Sequence, residues 1–295
     1  MREPIVVGVD GSRQALCAVD WAAAEAGRRG LPLRIVHIAT GWERGDIPAY
    51  RGRGPATSQP ETPGLRILDI AEERARMFGP IEIERRLGIG PIPGTLLQES
   101  AGGSLLVLGQ RGTGAFSRLL LGSVSRQAAE HAPCPVLIVP TDTDPRPRLP
   151  EIVVGIDGSQ ASVDAVGFAL EEAAERGLSL RGIHAWDRPD YPAEMRPACY
   201  NTLTIEEEGA RVLSESLAGW AAKYPDVPVI QQVIEGGPAA VLTEASRTAE
   251  LLVVGARGRG GFPGLRLGSV SHAVLHHAEG PVAVVRRSGG GTSDG

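Results

Sequence analysis

The sequence is poor in lysine, cysteine and aromatic residues, and each shortage excludes something. Lys223 is the single lysine, and Ala222 precedes it. A P-loop of the form G-x-x-x-x-G-K-[ST] is therefore absent. The three cysteines, Cys17, Cys134 and Cys199, form an odd set without C-x-x-C spacing, which argues against a disulfide framework or a zinc site. Aromatics make up 4% of the 295 residues, so Val, Ile, Leu and Ala have to do the packing. No uninterrupted apolar run approaches the roughly 18 residues of a membrane span. The opening MREPIVVGVDGS enters a strand pattern directly, without a signal-peptide profile. A net charge of −5 is not the basic footprint of a nucleic-acid binder. These absences lead us to expect a soluble, cytoplasmic protein without nucleic-acid or membrane partners.

What is present is a repeat. The stretch 109–125 reads GQRGTGAFSRLLLGSVS, and 255–271 reads GARGRGGFPGLRLGSVS. Both fit G-x2-G-x9-G-S: Gly109, Gly112, Gly122 and Ser123, then Gly255, Gly258, Gly268 and Ser269. Each follows a buried-strand pattern, Leu105-Leu106-Val107-Leu108 or Leu251-Leu252-Val253-Val254. Each ends in a Gly-Ser that opens a helix, with Ser a favoured N-cap. Glycines let backbone approach an anion, and the open N–H groups of a helix N-terminus attract phosphate. Ser123, Ser125, Ser269 and Ser271 add hydroxyl donors. Gly122 and Gly268 are expected either to bring backbone N–H groups to phosphate oxygens or to hold a φ above zero. The dinucleotide fingerprint G-x-G-x-x-G fails, because Ser117 and Pro263 stand at its last position. The loop reads as a phosphate cradle of another kind.

The repeat extends along the whole chain. Ile5-Val6-Val7-Gly8-Val9-Asp10-Gly11-Ser12 matches Ile152-Val153-Val154-Gly155-Ile156-Asp157-Gly158-Ser159. Ser12 and Ser159 are N-cap candidates for helices whose apolar stripe recurs at Leu16, Val19, Ala23 and Ala26, and at Val163, Val166, Leu170 and Ala173. Gly30 and Gly177 stop those helices. Second strands are expected over 33–38 and 180–185, with His37 and His184 packed and hydrogen-bonded at matching places. Long segments rich in Pro and Gly, 40–63 and 186–203, follow, with the length of functional or mobile loops. Helices over 65–78 and 205–223, strands over 81–87 and 229–234, and helices begun by Pro93 and Pro238 come next. The fourth strand, glycine loop and helix 123–131 or 269–277 lead to a last strand, 136–139 or 282–285. Segment 141–150 reads as a Pro-rich linker, and 288–295 as a disordered tail. Alternating strands and helices make each half a parallel α/β sheet with right-handed crossovers and a ligand crevice at the carboxyl ends of its strands.

These motifs resemble the universal stress protein family, over almost the whole chain and twice. The carriers are residues 7–12, the strand ending His37-Ile38, loop 109–125 and Cys134-Pro135-Val136, with their counterparts in the second half. The resemblance implies two tandem domains, 1–140 and 151–287. Each would be an open parallel five-stranded sheet of order 3-2-1-4-5 with helices on both faces, like the adenine nucleotide alpha hydrolases. It further implies ATP at each switch point, two per chain, with Mg. By position, Gly8, Val9 and Asp10 would meet the adenosine and Ile38 the adenine. Gly109, Gln110, Arg111, Gly112, Thr113, Gly114, Gly122, Ser123, Val124 and Ser125 would hold the phosphates. In the second half the set is Gly155, Ile156, Asp157 and Ala185, with Gly255, Ala256, Arg257, Gly258, Arg259, Gly260, Gly268, Ser269, Val270 and Ser271. Ala185 replaces the larger Ile38, so adenine packing would be weaker there. Members pair through their last strands, so 136–139 against 282–285 is the implied contact, and a homodimer of tandem chains the implied assembly.

The function implied is that of a stress-response regulator in which ATP binding is a signal or stabiliser. A slow Mg-dependent ATPase is an alternative, since bound Mg²⁺ and phosphate-loop donors alone can polarise a γ-phosphate. A nucleotide-free interaction module is another. The S-G-G-x-D-S loop of an adenine-nucleotide α-hydrolase is missing, no catalytic triad or carboxylate pair stands out, and no catalytic or metal-ligating residue is assigned.

Overall fold

A computed structural model describes residues 3–39, 63–112, 121–140, 148–187, 202–260 and 265–286. The chain divides into two compact units, Met1–Thr141 and Asp142–Gly295. In the first, β1 (Ile5–Gly8), α1 (Arg13–Arg29), β2 (Leu33–Ala39), α2 (Pro63–Arg76), β3 (Ile83–Ile89), α3 (Ile92–Glu99), β4 (Leu105–Gly109), α4 (Ser123–His131) and β5 (Val136–Val139) alternate. The second repeats the order as β6 (Leu149–Gly155), α5 (Gln160–Arg176), β7 (Ser179–Trp186), α6 (Thr202–Ala221), β8 (Val229–Glu235), α7 (Pro238–Ser246), β9 (Ala249–Gly255), α8 (Ser269–His277) and β10 (Val282–Val285). Among the described residues, no helix is long and apolar enough to cross a membrane.

Each unit is a parallel five-stranded sheet, ordered β3-β2-β1-β4-β5 in the first and β8-β7-β6-β9-β10 in the second. In the first, α1 and α2 pack on one face and α3 and α4 on the other; α5 and α6, then α7 and α8, do the same in the second. Covering both faces is why the central strands are apolar throughout. Ile5, Val6, Val7, Leu105, Leu106 and Val107 are all fully buried, each worth about 1.5–3 kcal/mol of transfer free energy. The edge strand β3 is largely exposed, and Arg85 and Arg86 lie on it.

Local chemistry sets the helix ends. Ser12 Oγ accepts the Ala15 N–H at 3.1 Å, and Ser159 Oγ accepts that of Ser162 at 3.2 Å, so both are N-caps. Gly30 and Gly177 close the same helices in the left-handed region at φ 60° and 64°. Several boundaries move. The third strand of the first unit is Ile83–Ile89, two residues later than 81–87; Leu33 of β2 pairs with Ile83, and the next pair, Arg34 and Glu84, is joined by a 2.7 Å ion pair. β6 begins at Leu149, so the end of the segment read as a linker, 141–150, is strand; the Leu149 N–H donates to Thr248 O at 2.7 Å. The rest of that segment up to 147, most of the long loops and the tail from 287 lie outside the described residues.

Candidate functional site

The crevice is built where strand order reverses, between the carboxyl ends of β1 and β4 and of β6 and β9, which are hydrogen-bonded neighbours. β6 ends at Gly155, and the chain leaves the sheet as Ile156-Asp157-Gly158-Ser159. Gly158 takes φ 76° and Gly11 takes φ 82°, a conformation that favours glycine. The Asp157 carboxylate turns back so that Oδ1 accepts the Ser159 N–H at 2.9 Å. Asp10 does the same with Ser12 at 3.0 Å. Both aspartates are therefore Asx-turn residues.

Asp157 has a second role. Its Oδ2 accepts the Arg259 N–H at 2.9 Å, fastening the glycine loop to the end of β6. Burial pushes its pKa up, but hydrogen bonds from Ser159, from the Arg259 N–H and from Ser162 outweigh that, and the pKa lies below the ordinary 3.8. The carboxylate is ionised, with both oxygens turned to donors.

The motif glycines divide by cause. A Cβ on Gly255 would lie 2.7 Å from the carbonyl carbon of Ala161, and one on Gly109 2.8 Å from that of Gln14; these glycines let α5 and α1 lie against the strand end. A Cβ on Gly258 or Gly112 would overlap Oδ2 of Asp157 or Asp10. Gly268 and Gly122 differ from expectation. Their φ values are −76° and −69°, and their own N–H groups donate to Ala256 O and Gln110 O, both at 2.8 Å. Neither a positive φ nor a phosphate-facing N–H of its own accounts for them.

Two further expectations are corrected. Gly122 and Gly268, not the serines, are the N-caps of α4 and α8, and neither helix has a side-chain cap. Ser123 and Ser269 are first helical residues and exposed. The Ser125 and Ser271 hydroxyls are engaged within the fold: they are 4% exposed and donate to Gly109 O at 2.7 Å and Gly255 O at 2.6 Å. What stays open is the backbone, because the first N–H groups of a helix have no intrahelical acceptor.

In the second unit these parts enclose a cavity of about 300 Å³. Gly155, Ile156, Asp157, Ala185, Gly255, Arg257, Gly258, Arg259, Gly260, Gly268, Ser269, Val270 and Ser271 line it. Of the residues expected there, only Ala256 is not in the lining; it is buried, and its N–H donates to Val285 O at 2.8 Å. The lining also includes residues that sequence reasoning missed: Ser162, Ile183, Pro238, Leu242, Val254 and Leu265. The signal for two of them was the doubly wound pattern itself, which brings the start of the helix after the third strand, at Pro238, to the carboxyl edge. Leu242 reaches the crevice floor because Gly155 has no side chain; a Cβ there would sit 2.7 Å from Leu242 Cδ1.

In the first unit, Gly8, Val9, Asp10, Ile38, Gly109, Gln110, Arg111 and Gly112 lie along the equivalent edge of β1, β2 and β4, with Gly122, Ser123, Val124 and Ser125 opening α4. Thr113 and Gly114 lie outside the described residues. His37 and His184 stand behind the crevice, each Nδ1 2.8 Å from the carbonyl oxygen of Val9 or Ile156. That bond puts the proton on Nδ1 and holds the ring as a strand-end brace. Burial pushes the Cys134 thiol up to about 12, which leaves it inert.

Two doubly wound α/β units, each with a helix N-terminus at its switch point, define a tandem α/β protein. The Universal stress protein family profile matches residues 1–140 and 150–286, and the chain belongs to that family. It is 37% identical over 298 residues to the universal stress protein Rv2005c of Mycobacterium tuberculosis, covering 96% of this chain and 97% of that one. It is 37% identical over 303 residues to the universal stress protein Rv1996 of the same organism, covering 96% and 94%. Among solved structures, a universal stress protein from Archaeoglobus fulgidus DSM 4304 aligns over 97% of both chains at 19% identity and a TM-score of 0.63, which shows the shared fold.

Proposed function

We propose that each domain binds one ATP in this crevice, and that occupancy acts as a signal or stabiliser in a stress response rather than as fuel. The observation that carries the reading is the composition of the second-unit cavity. Its lining includes the uncapped N-terminus of α8 together with Arg257 and Arg259, a combination suited to a polyanion. It also includes the apolar Ile156, Ile183, Ala185, Leu242 and Val254, which suit an apolar ring. In this arrangement the N–H groups of Ser269, Val270 and Ser271 and the two guanidinium groups hold the phosphates, while Ile156 and Ala185 face the base.

The one acid in the cavity does not oppose this, since its oxygens already accept the Ser159 and Arg259 N–H groups. For the same reason, Mg²⁺ entering with the triphosphate would take its ligands from phosphate oxygens and water, as Mg²⁺ commonly does. The bound metal would supply charge neutralisation there.

Equilibrium dialysis of the purified chain against ATP, with chromatography of the retained nucleotide, tests the reading. Retained and intact ATP is the expected result. Retained ADP would make the protein a slow ATPase, and no retention would make it an interaction module with empty crevices.

A further inference from the structure

The second domain carries a histidine group that its nucleotide crevice does not use. His272 and His276 lie four residues apart on α8, with ring centroids 4.5 Å apart and planes inclined by 36°. His277 follows, its ring centroid 6.3 Å from that of His276. His272 is exposed and His276 half-buried. None of the three lines the cavity.

The first domain shows what this place on the helix otherwise holds. The same two positions of α4 are Arg126 and Glu130, joined by an ion pair of 2.6 Å. That pair is self-satisfied and offers nothing to a metal. In α8 a cation and a carboxylate have been exchanged for two imidazoles in ring contact. Spacing of i and i+4 puts two helical histidines on one face, within reach of a single ion. Imidazole nitrogen suits the late first-row divalent metals, Ni²⁺, Cu²⁺ and Zn²⁺. His276 and His277 also lie in the last turn of α8, where the helix dipole favours positive charge.

We infer that His272 and His276 form a binding site for a late first-row divalent transition metal, present in the second domain alone of the two. Two protein nitrogens leave the remaining coordination positions to water or a small anion. The site is distinct from the proposed ATP crevice, since neither His272 nor His276 lines that cavity.

Calorimetric titration of the metal-stripped full chain with Ni²⁺ is the test. The wild type is expected to bind one Ni²⁺, and Ni²⁺ to raise its melting temperature. The double variant His272→Arg/His276→Glu installs the pair that α4 already carries, so it is expected to fold. Its Ni²⁺ affinity should fall by about tenfold or more, since loss of outer-shell partners alone costs that much at metal sites. His131→Ala, at the end of α4, should bind Ni²⁺ like the wild type. Should the double variant melt early, His272→Ala at the exposed position gives the same readout with the same expected loss. Unchanged Ni²⁺ affinity in whichever variant folds, or no Ni²⁺ binding by the wild type, overturns the inference.

Discussion

In a crevice proposed to take phosphate, a carboxylate would repel the ligand if its charge faced outward. Asp157 is tolerable because both oxygens are turned to backbone donors, one in its own turn and one in the glycine loop. This makes Gly258 a partner of Asp157 first and a neighbour of the ligand second. Gly258→Ala should expel the carboxylate from its bond to Arg259. That leaves a polar group unsatisfied, a loss of about 1–3 kcal/mol, and should weaken ATP binding with it. Gly268→Ala is a different case, because the nearest atoms to its Cβ are 3.5 Å away and its φ is −76°. Its melting temperature should stay near that of the wild type. Thermal melts of the two variants check the contrast. The acid also has a pH signature. A pKa held below its ordinary 3.8 contributes stability that is present above that value and lost as pH falls through the folded value. Asp157→Asn should therefore be less stable than the wild type at neutral pH, and the gap in denaturant midpoints should close in acid. A gap independent of pH would contradict the carboxylate's role.

Helices α4 and α8 begin in a way the sequence conceals. The Gly-Ser pair reads as a serine cap, but the cap position falls one residue earlier, and the buried serine two residues further on ties the helix to the strand end. Ser271→Ala removes a buried 2.6 Å bond to Gly255 O and strands that carbonyl, so it should cost about 1–3 kcal/mol of stability. Ser269→Ala is exposed and should leave the melt unchanged, with at most a small loss of ATP affinity. Denaturant titration and ATP binding of the two variants separate the roles. Helices α1 and α5 share another device. Glu172 is fully buried and bonded to Arg176 Nε at 2.8 Å, and Glu25, equally buried, is bonded to Arg29. Removing one partner of a buried pair typically costs about 3–5 kcal/mol. Glu172→Ala should thus lower the urea midpoint sharply, while Glu208→Ala, whose pair with Arg211 is exposed, should not.

For the whole molecule, the repeat made the fold legible. Buried strands, serine caps and left-handed glycines recur in register, and two copies of one pattern constrain each other. The third strand of the first unit was placed less well, because an edge strand such as β3 has half its residues in water and no clean apolar run. The outline of the site was legible too, since the glycine loop and Asp-Gly-Ser turn are local in sequence. Which groups face the crevice was not. That depends on contacts across the sheet, such as Leu242 over Gly155 or Asp157 against Gly258, and on which hydroxyls the fold has already engaged.

The described strand ends and helix starts of the two units are alike in backbone, while the sequences differ in side chains. Ala185 stands where the first domain has Ile38, and Arg259 where it has Thr113. If each crevice takes ATP as proposed, the smaller wall would weaken contact with the base and the added cation would strengthen the hold on phosphate, so the second crevice should remain occupied despite Ala185. The most direct measurement is the number of ATP molecules bound per chain, by calorimetric titration of the nucleotide-stripped protein. The account predicts two, with Gly258→Ala reducing the count or affinity of one site and leaving the other. A count of zero or one, or a count of two that Gly258→Ala does not alter, would contradict it.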